Sequence, residues 1–339
     1  MLRKACLALA ALMTFLTAPG LVPPVSGGQK PRLTATFFQP LFGHEERAAG
    51  DWQGLFSALA SLGIKECIVQ WTLFDKRPFY DSKAFTEKPA AVLEGLLAAA
   101  DASGVAITLG LVHDSNYWQK IDRDPKLVRV YLRRLLLDSM KLAGELAEIA
   151  RKHESVTGWY IPQEIDDKTW LDPDAQKALI EYLADMTKGL RKAAPAFTVS
   201  VSGFTNAFAD PVTCGAFFGT VAREGGLDRI LFQDGVGVGK MELGYAGIYL
   251  DAVSKAVRET GAAFTPVVET FVQTGGEPID DGEFKAEPAP LSRIEAQLGL
   301  AQKSQPSGIA AFSVPEYMTP FGGPKAAALF EAYKAYLSR

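Results

Sequence analysis

Two glutamates stand where apolar runs stop. The segment GWYIPQEID (158–166) is aromatic and β-branched until Gln163 and Glu164, and TPVVETFV (265–272) is apolar until Glu269. Asp166 and Asp167 crowd in behind the first of them. A pair of carboxyl groups can divide the work of breaking a bond at an acetal carbon. One, kept protonated, gives its proton to the leaving oxygen, while the other, kept ionised, attacks or stabilises the carbon. Different surroundings push the two pKa values apart and so allot the tasks. The pair is useful only if the fold brings two distant segments to one place.

The elements that must do so are legible as a repeat. A short apolar or β-branched run, a polar loop and an amphipathic helix recur eight times. The strand candidates are 33–40, 66–75, 106–114, 156–165, 197–206, 229–238, 263–272 and 308–318. Asp124-Pro125, Asp172-Pro173 and Asp210-Pro211 each put an N-cap acceptor before a proline at the first helical position, where the missing N–H costs nothing. The longest helix is expected over 125–153, with Ala-rich helices over 88–103 and 324–338. Alternation of this kind implies parallel strands joined by right-handed crossovers, and uniformly apolar strands suit a sheet buried on both faces. The chain is therefore expected to be α/β, a single (β/α)8 TIM barrel over 29–339. The alternative is an open doubly wound sheet, but no glycine-rich dinucleotide turn follows the first strand.

Such barrels place their chemistry at the C-terminal ends of the strands. Those ends deliver Gln39, then Gln70, Trp71 and Asp75, then His113 and Asp114 with Asn116, Tyr117 and Trp118 just after. They go on to deliver Gln163, Glu164 and Asp166, Ser202 and Asn206, Gln233 and Asp234, Glu269, and finally Glu316 and Tyr317. Amides and carboxylates ringed by aromatic walls suit a carbohydrate, whose hydroxyls need acceptors and whose C–H faces need flat rings. Strand ends turn polar wherever they meet water, which accounts for Asp75 and Asp166 more readily than for Glu164 and Glu269. Substrate-binding candidates are Gln39, Gln70, Trp71, His113, Trp118, Gln163, Asp234, Glu316 and Tyr317. Asp234 could instead orient one of the glutamates or cap a turn. Among Trp71, Trp118, Tyr160, Trp170 and Tyr317 as stacking platforms, Trp118 in the loop SNYWQK is the foremost.

With glutamates after strands four and seven, the sequence resembles the TIM-barrel retaining glycosidases. That resemblance implies Glu164 as acid/base and Glu269 as nucleophile. Those enzymes usually carry Asn before the strand-four glutamate, where this chain has Gln163. TFFQP, VQWT, GWYIPQEID, FQDGVGVG and GIAAFSVPEYM together resemble, over roughly residues 33–335, an exported bacterial family of glycosidase-like barrels described as a domain of unknown function, number 4434. The expected activity is a glycoside hydrolase cleaving a poly- or oligosaccharide with retention. A barrel that binds carbohydrate without cleaving it, and a metal-dependent hydrolase, are the alternatives.

Composition sets further bounds. With 35 Lys+Arg against 39 Asp+Glu, the net charge is −4, and no cationic excess exists to neutralise nucleic-acid phosphates. MLRK, an apolar ACLALAALMTFL, and small residues with prolines read as a secretory signal peptide over 1–28. The apolar run is short for a membrane span, although an uncleaved anchor is the alternative. The protein is thus expected to be exported, to the periplasm or outside the cell, without stable membrane insertion after cleavage. Removing Arg3 and Lys4 leaves 33 cations against 39 anions, a net charge of about −6. Cys6 would leave with the leader, and Cys67 and Cys214 are expected as buried free thiols, a disulfide being the alternative. DGVGVGK (234–240) is no phosphate loop, since Asp234 stands where the first glycine belongs and Met241 follows Lys240. Its glycines should let the loop pass close to a ligand or another strand. His44, His113 and His153 lie in no metal-ligand spacing, so neither metal nor cofactor is expected, and His153 should favour a helix C-terminus. No G-x-S-x-G occurs. The loop 272–290 is expected as a rim or lid, with 315–324 as the opposite wall.

Overall fold

A computed structural model describes residues 30–339, and the expected leader over 1–28 lies outside them. Eight strands close into a barrel: β1 (Ala35–Phe38), β2 (Glu66–Val69), β3 (Ala106–Gly110), β4 (Val156–Asp166), β5 (Thr198–Phe204), β6 (Arg229–Gln233), β7 (Ala263–Glu269) and β8 (Ala310–Phe312). Each pairs in parallel with its successor, and β8 closes on β1 with Ala310 beside Ala35. Around it run α1 (Ala49–Ser61), α2 (Leu93–Ser103), α3 (Pro125–Ala150), α4 (Pro173–Ala193), α5 (Pro211–Glu224), α6 (Leu243–Glu259), α7 (Leu291–Lys303) and α8 (Pro324–Ser338). The fold is the expected (β/α)8 barrel.

Side chains alternate across each strand with a period of two, and the alternation splits the core in two. Ala35, Phe37, Ile68, Tyr160, Leu231, Val267 and Ala310 plug the barrel interior, with Phe312 against them. Phe38, Val69, Trp159, Ile161, Ile230, Phe232, Phe264 and Val268 point outward and join the core beneath the helices. Beneath the plug, Arg229 and Glu66 form a two-pronged ion pair at 2.6 Å, and Thr108 Oγ1 donates to Glu66 at 2.5 Å. The three Asp-Pro starts act as expected: Asp124 accepts from Lys126 N–H, Asp172 from Asp174 and Ala175 N–H, and Asp210 from Val212 and Thr213 N–H.

Several strands leave the barrel sooner than their apolar runs suggest. Beyond Val69, Leu73–Phe74 joins Arg77–Pro78 and Val112–His113 in a separate three-stranded sheet. Chain rising above the rim still needs partners for its backbone groups, and these runs find one another. Much of the expected loop 272–290 is an antiparallel hairpin of Phe271–Gly275 with Lys285–Pro288. After β8 the chain turns at once into a short helix, Val314–Tyr317. α3 ends at Ala150, so His153 lies beyond it, with Nδ1 2.6 Å from Asp101 Oδ2. Cys67 and Cys214 are free and buried. No helix among the described residues is long and apolar enough to cross a membrane.

Candidate active site

β4 places Glu164 by means of a bulge. Ile161 pairs with Val201 and Ile165 with Gly203, so Pro162, Gln163 and Glu164 face Ser202 alone. Pro162 sits where no ladder donor is required, and the extra residues re-aim the side chains after it. Glu164 turns to the mouth, where its Oε1 accepts from Gln233 Nε2 at 2.6 Å. Gln163 turns the other way. It is buried, its Nε2 donating to the Val112 carbonyl at 2.8 Å and its Oε1 accepting from Tyr182 OH in α4 at 2.7 Å. Gln163 therefore fixes the bulge rather than binding substrate.

Glu269 lies two residues beyond Val267 of the interior plug and so also faces inward. It is 3% exposed, and its Oε2 accepts from Val238 N–H at 2.9 Å. Its backbone is clamped from outside the barrel, the carbonyl accepting from Arg293 Nη2 at 2.8 Å and from Gln297 Nε2 at 3.2 Å. Asp234 belongs to this clamp. Its Oδ2 accepts from Gln297 Nε2 at 2.6 Å and its Oδ1 from Val236 N–H at 3.1 Å. As the residue after inward-facing Gln233 it points to the helix layer, so it orients Glu269 and does not bind sugar. The loop 234–240 passes directly over the glutamate. A Cβ on Gly237 would meet Glu269 Cβ and the Phe271 carbonyl at 2.7 Å each, which is the close approach the glycines were expected to serve.

Burial governs the ionisation. It pushes Glu269 up to about 8, reinforced by the charge of Asp234, which burial itself raises to about 6. Burial also raises Glu164, against the Gln233 hydrogen bond and the nearby Lys240 ammonium, which both favour the anion. Glu316, half-buried in the short helix that follows β8, is pushed up to about 7 by burial. It accepts a hydrogen bond from the Ser313 hydroxyl and one at 3.4 Å from Gln39 N–H.

The remaining expected residues divide. Gln39, Gln70, His113, Trp118, Glu316 and Tyr317 all follow the C-terminal ends of their strands. Gln70 is 8% exposed and its Oε1 has no donor among the described residues. Burial lowers the His113 pKa, which favours the neutral imidazole. Trp71 is no platform. Its ring is buried against His113 at 4.5 Å and Phe74 at 5.4 Å, and its N–H donates to the Pro40 carbonyl at 3.0 Å. Tyr160 and Trp170 are fully buried core residues. Trp118 is 40% exposed and meets Phe204 edge-on at 5.7 Å. Opposite, Tyr317 packs on Phe271 at 5.2 Å and Phe271 on Phe284 of the hairpin at 5.8 Å. Sequence reasoning missed Lys240, Phe204, Arg293 and Gln297. The last two, four apart on α7, carried the one usable signal, a polar pair on an otherwise core-facing stripe. Among the described residues no group of three or more His, Cys, Asp or Glu is placed to hold a metal ion.

Eight parallel strands closed into a ring and covered by helices define the chain as a (β/α)8 barrel, with buried carboxyls at the C-terminal ends of its strands. Within that class the chain belongs to the family described as a domain of unknown function (DUF4434), whose model matches residues 33–327. It is 28% identical over 290 residues to uncharacterized protein YbcH of Escherichia coli (strain K12), covering 82% of this chain and 87% of that protein. Among solved structures it resembles a protein of Bacteroides thetaiotaomicron provisionally assigned as an alpha-L-fucosidase, with a TM-score of 0.74 at 19% identity over 95% of this chain and 97% of that one. The endo-1,4-beta-mannanase of Rhizomucor miehei matches with a TM-score of 0.56 at 10% identity, over 93% and 98% of the two chains. At such identities the likeness is one of fold.

Proposed function

We propose that the protein is an exported glycoside hydrolase that cleaves its substrate with retention, Glu164 serving as acid/base and Glu269 as nucleophile. The observation that carries this reading is the matched presentation of the two carboxyls. Each faces the mouth from a strand end with one oxygen anchored, Glu164 Oε1 by Gln233 and Glu269 Oε2 by Val238 N–H. The second oxygen of each makes no hydrogen bond among the described residues and is left for substrate. Gln233, on β6, reaches across β5 to Glu164, while its strand partner Val267 lies two residues before Glu269. One amide thus ties the acid to the strand of the nucleophile. The structural neighbours, one provisionally assigned as a fucosidase and the other a mannanase, are of the same reaction class.

In this reading Glu164 protonates the glycosidic oxygen as the free oxygen of Glu269 attacks the anomeric carbon, giving a glycosyl ester. Glu164, now ionised, then takes a proton from water, which attacks the same carbon and restores Glu269. Glu164→Gln should lower turnover by about 10²–10⁴-fold on unactivated glycans, and Glu269→Gln should abolish it, with sugar affinity kept in both. Reducing-end release and the anomeric configuration of the first product, followed by proton NMR, check this. Wild-type turnover in either variant removes that residue from the chemistry, and an inverted product removes the covalent step. Saturable glycan binding by a wild type that releases no reducing ends would make the barrel a non-catalytic carbohydrate binder.

A further inference from the structure

We propose that the mouth contains a subsite for a negatively charged sugar, a uronic acid whose carboxylate is held by Lys240 while its ring lies against Trp118, with Phe204 between the two. This rests on the reading that the mouth takes carbohydrate, but not on its cleaving one. Lys240 ends the loop that covers Glu269, and its base is fixed: the N–H groups of Lys240 and Met241 both donate to the Gly235 carbonyl, at 3.0 and 3.1 Å. Its Nζ stands 4.2 Å above the ring centre of Phe204, the last residue of β5, whose edge meets the exposed Trp118. Lys240 is an exposed residue and enters none of the ion pairs among the described residues.

Three carboxyls lie near enough to feel the charge of Lys240: Glu164, Asp166 and Glu269. None of the three is ion-paired with Lys240 among the described residues, and each is held by another donor: Glu164 by Gln233 Nε2, Asp166 by Thr169 N–H and Asn206 Nδ2, and Glu269 by Val238 N–H. A ring below an ammonium takes up its charge without using its three N–H donors. What remains is a fixed cation with free donors beside an exposed indole face. A neutral sugar uses only the indole, whereas a uronate uses both.

The test employs the Glu164→Gln/Glu269→Gln double variant, which holds substrate without cleaving it. It is titrated calorimetrically with a panel of uronic-acid oligosaccharides of different backbones and with their carboxyl-reduced, neutral counterparts. The acidic member of at least one pair should bind about tenfold more tightly, the worth of a charge-assisted hydrogen bond, and the advantage should shrink as salt is raised. Lys240→Met should erase the advantage, Lys240→Arg should keep most of it, and Trp118→Ala should weaken both members alike. Equal affinities within every pair, no binding of any acidic glycan, or an advantage that survives Lys240→Met would overturn the subsite. Cleavage of neutral glycans alone by the wild type would also overturn it and leave the hydrolase reading standing. Binding of an acidic glycan by a wild type that cleaves nothing would do the reverse.

Discussion

Glu269 is asked to be two things. As the nucleophile of the proposed reaction it must be ionised, yet burial and the neighbouring Asp234 hold its proton on up to about 8. The rate should therefore climb with pH: kcat/KM is expected to rise through the titration of the Asp234–Glu269 pair, between about 6 and about 8, as the reactive anion forms. Asp234→Asn removes the adjacent charge and should move that limb to lower pH, at some cost in rate because an amide satisfies the clamp less well than a carboxylate. A limb that falls across the same window would give Glu269 the role of acid. The same conflict bears on stability. A carboxyl whose folded pKa lies above its unfolded value weakens the fold progressively as pH rises from the unfolded towards the folded value. Glu269→Gln should thus raise Tm relative to the wild type at pH 8–9, by a few degrees, and leave it nearly unchanged near pH 4. Residue roles were only partly legible in the sequence. Glu164 and Glu269 could be found because each ends an apolar run, but the bulge at Pro162 decides that Glu164 faces the mouth and Gln163 does not. Trp71 and Gln163 were misplaced as substrate binders for a related reason, since being at a strand end does not say on which side of the strand a side chain lies, and for Asp234 the orienting role was the alternative that held.

The loop 234–240 gathers more of the site than any other element. It carries Asp234 beneath Glu269, offers Val238 N–H to that carboxyl and ends in Lys240. Two of its glycines are needed for different reasons and should fail differently. Gly237→Ala would drive a methyl into Glu269 and the Phe271 carbonyl. It should cost about 1–3 kcal/mol of stability, together with at least a tenfold loss in kcat. Gly239 has φ +70° and nothing within 4 Å of an added Cβ. Gly239→Ala should then cost about 1–2 kcal/mol of backbone strain while keeping most of kcat. Thermal melts and initial rates on the two variants check the contrast. Equal rate losses would mean that the loop matters for its shape alone. The glycines themselves were legible as a close approach, but the partner was not, because β7 reaches the loop only once the barrel has closed.

At the scale of the whole barrel, the buried ion pair and the proposed chemistry occupy opposite ends. The Glu66–Arg229 pair spans the interior below the apolar plug, where, against the penalty of burial, the Arg229 guanidinium and Thr108 hydroxyl keep the Glu66 carboxyl below its usual range. Arg229→Met would strand that carboxylate and should cost about 3 kcal/mol, at the low end for a broken buried pair because both partners keep some exposure. The double variant with Glu66→Gln should recover part of the loss in a denaturant series, and kcat measured well below Tm should change little in either. The fold was the most legible level of all, because an eightfold repeat of strand, loop and helix leaves few alternatives. Neither the ion pair nor the rim sheets could be read, since both depend on which distant strands become neighbours around the ring.

The two ends of the described chain meet on that same lower face. Tyr336 OH donates to the Pro31 carbonyl at 2.6 Å, and Leu33 N–H donates to Tyr333 OH at 2.8 Å. Attachment at that face, to a bead, a fusion partner or a neighbouring domain, would therefore leave the C-terminal ends of the strands, with Glu164 and Glu269, on the side away from the support. The ends are also close enough to be spliced by a short linker, so the barrel is a natural subject for circular permutation, with new termini cut in the lower loops and the mouth left untouched.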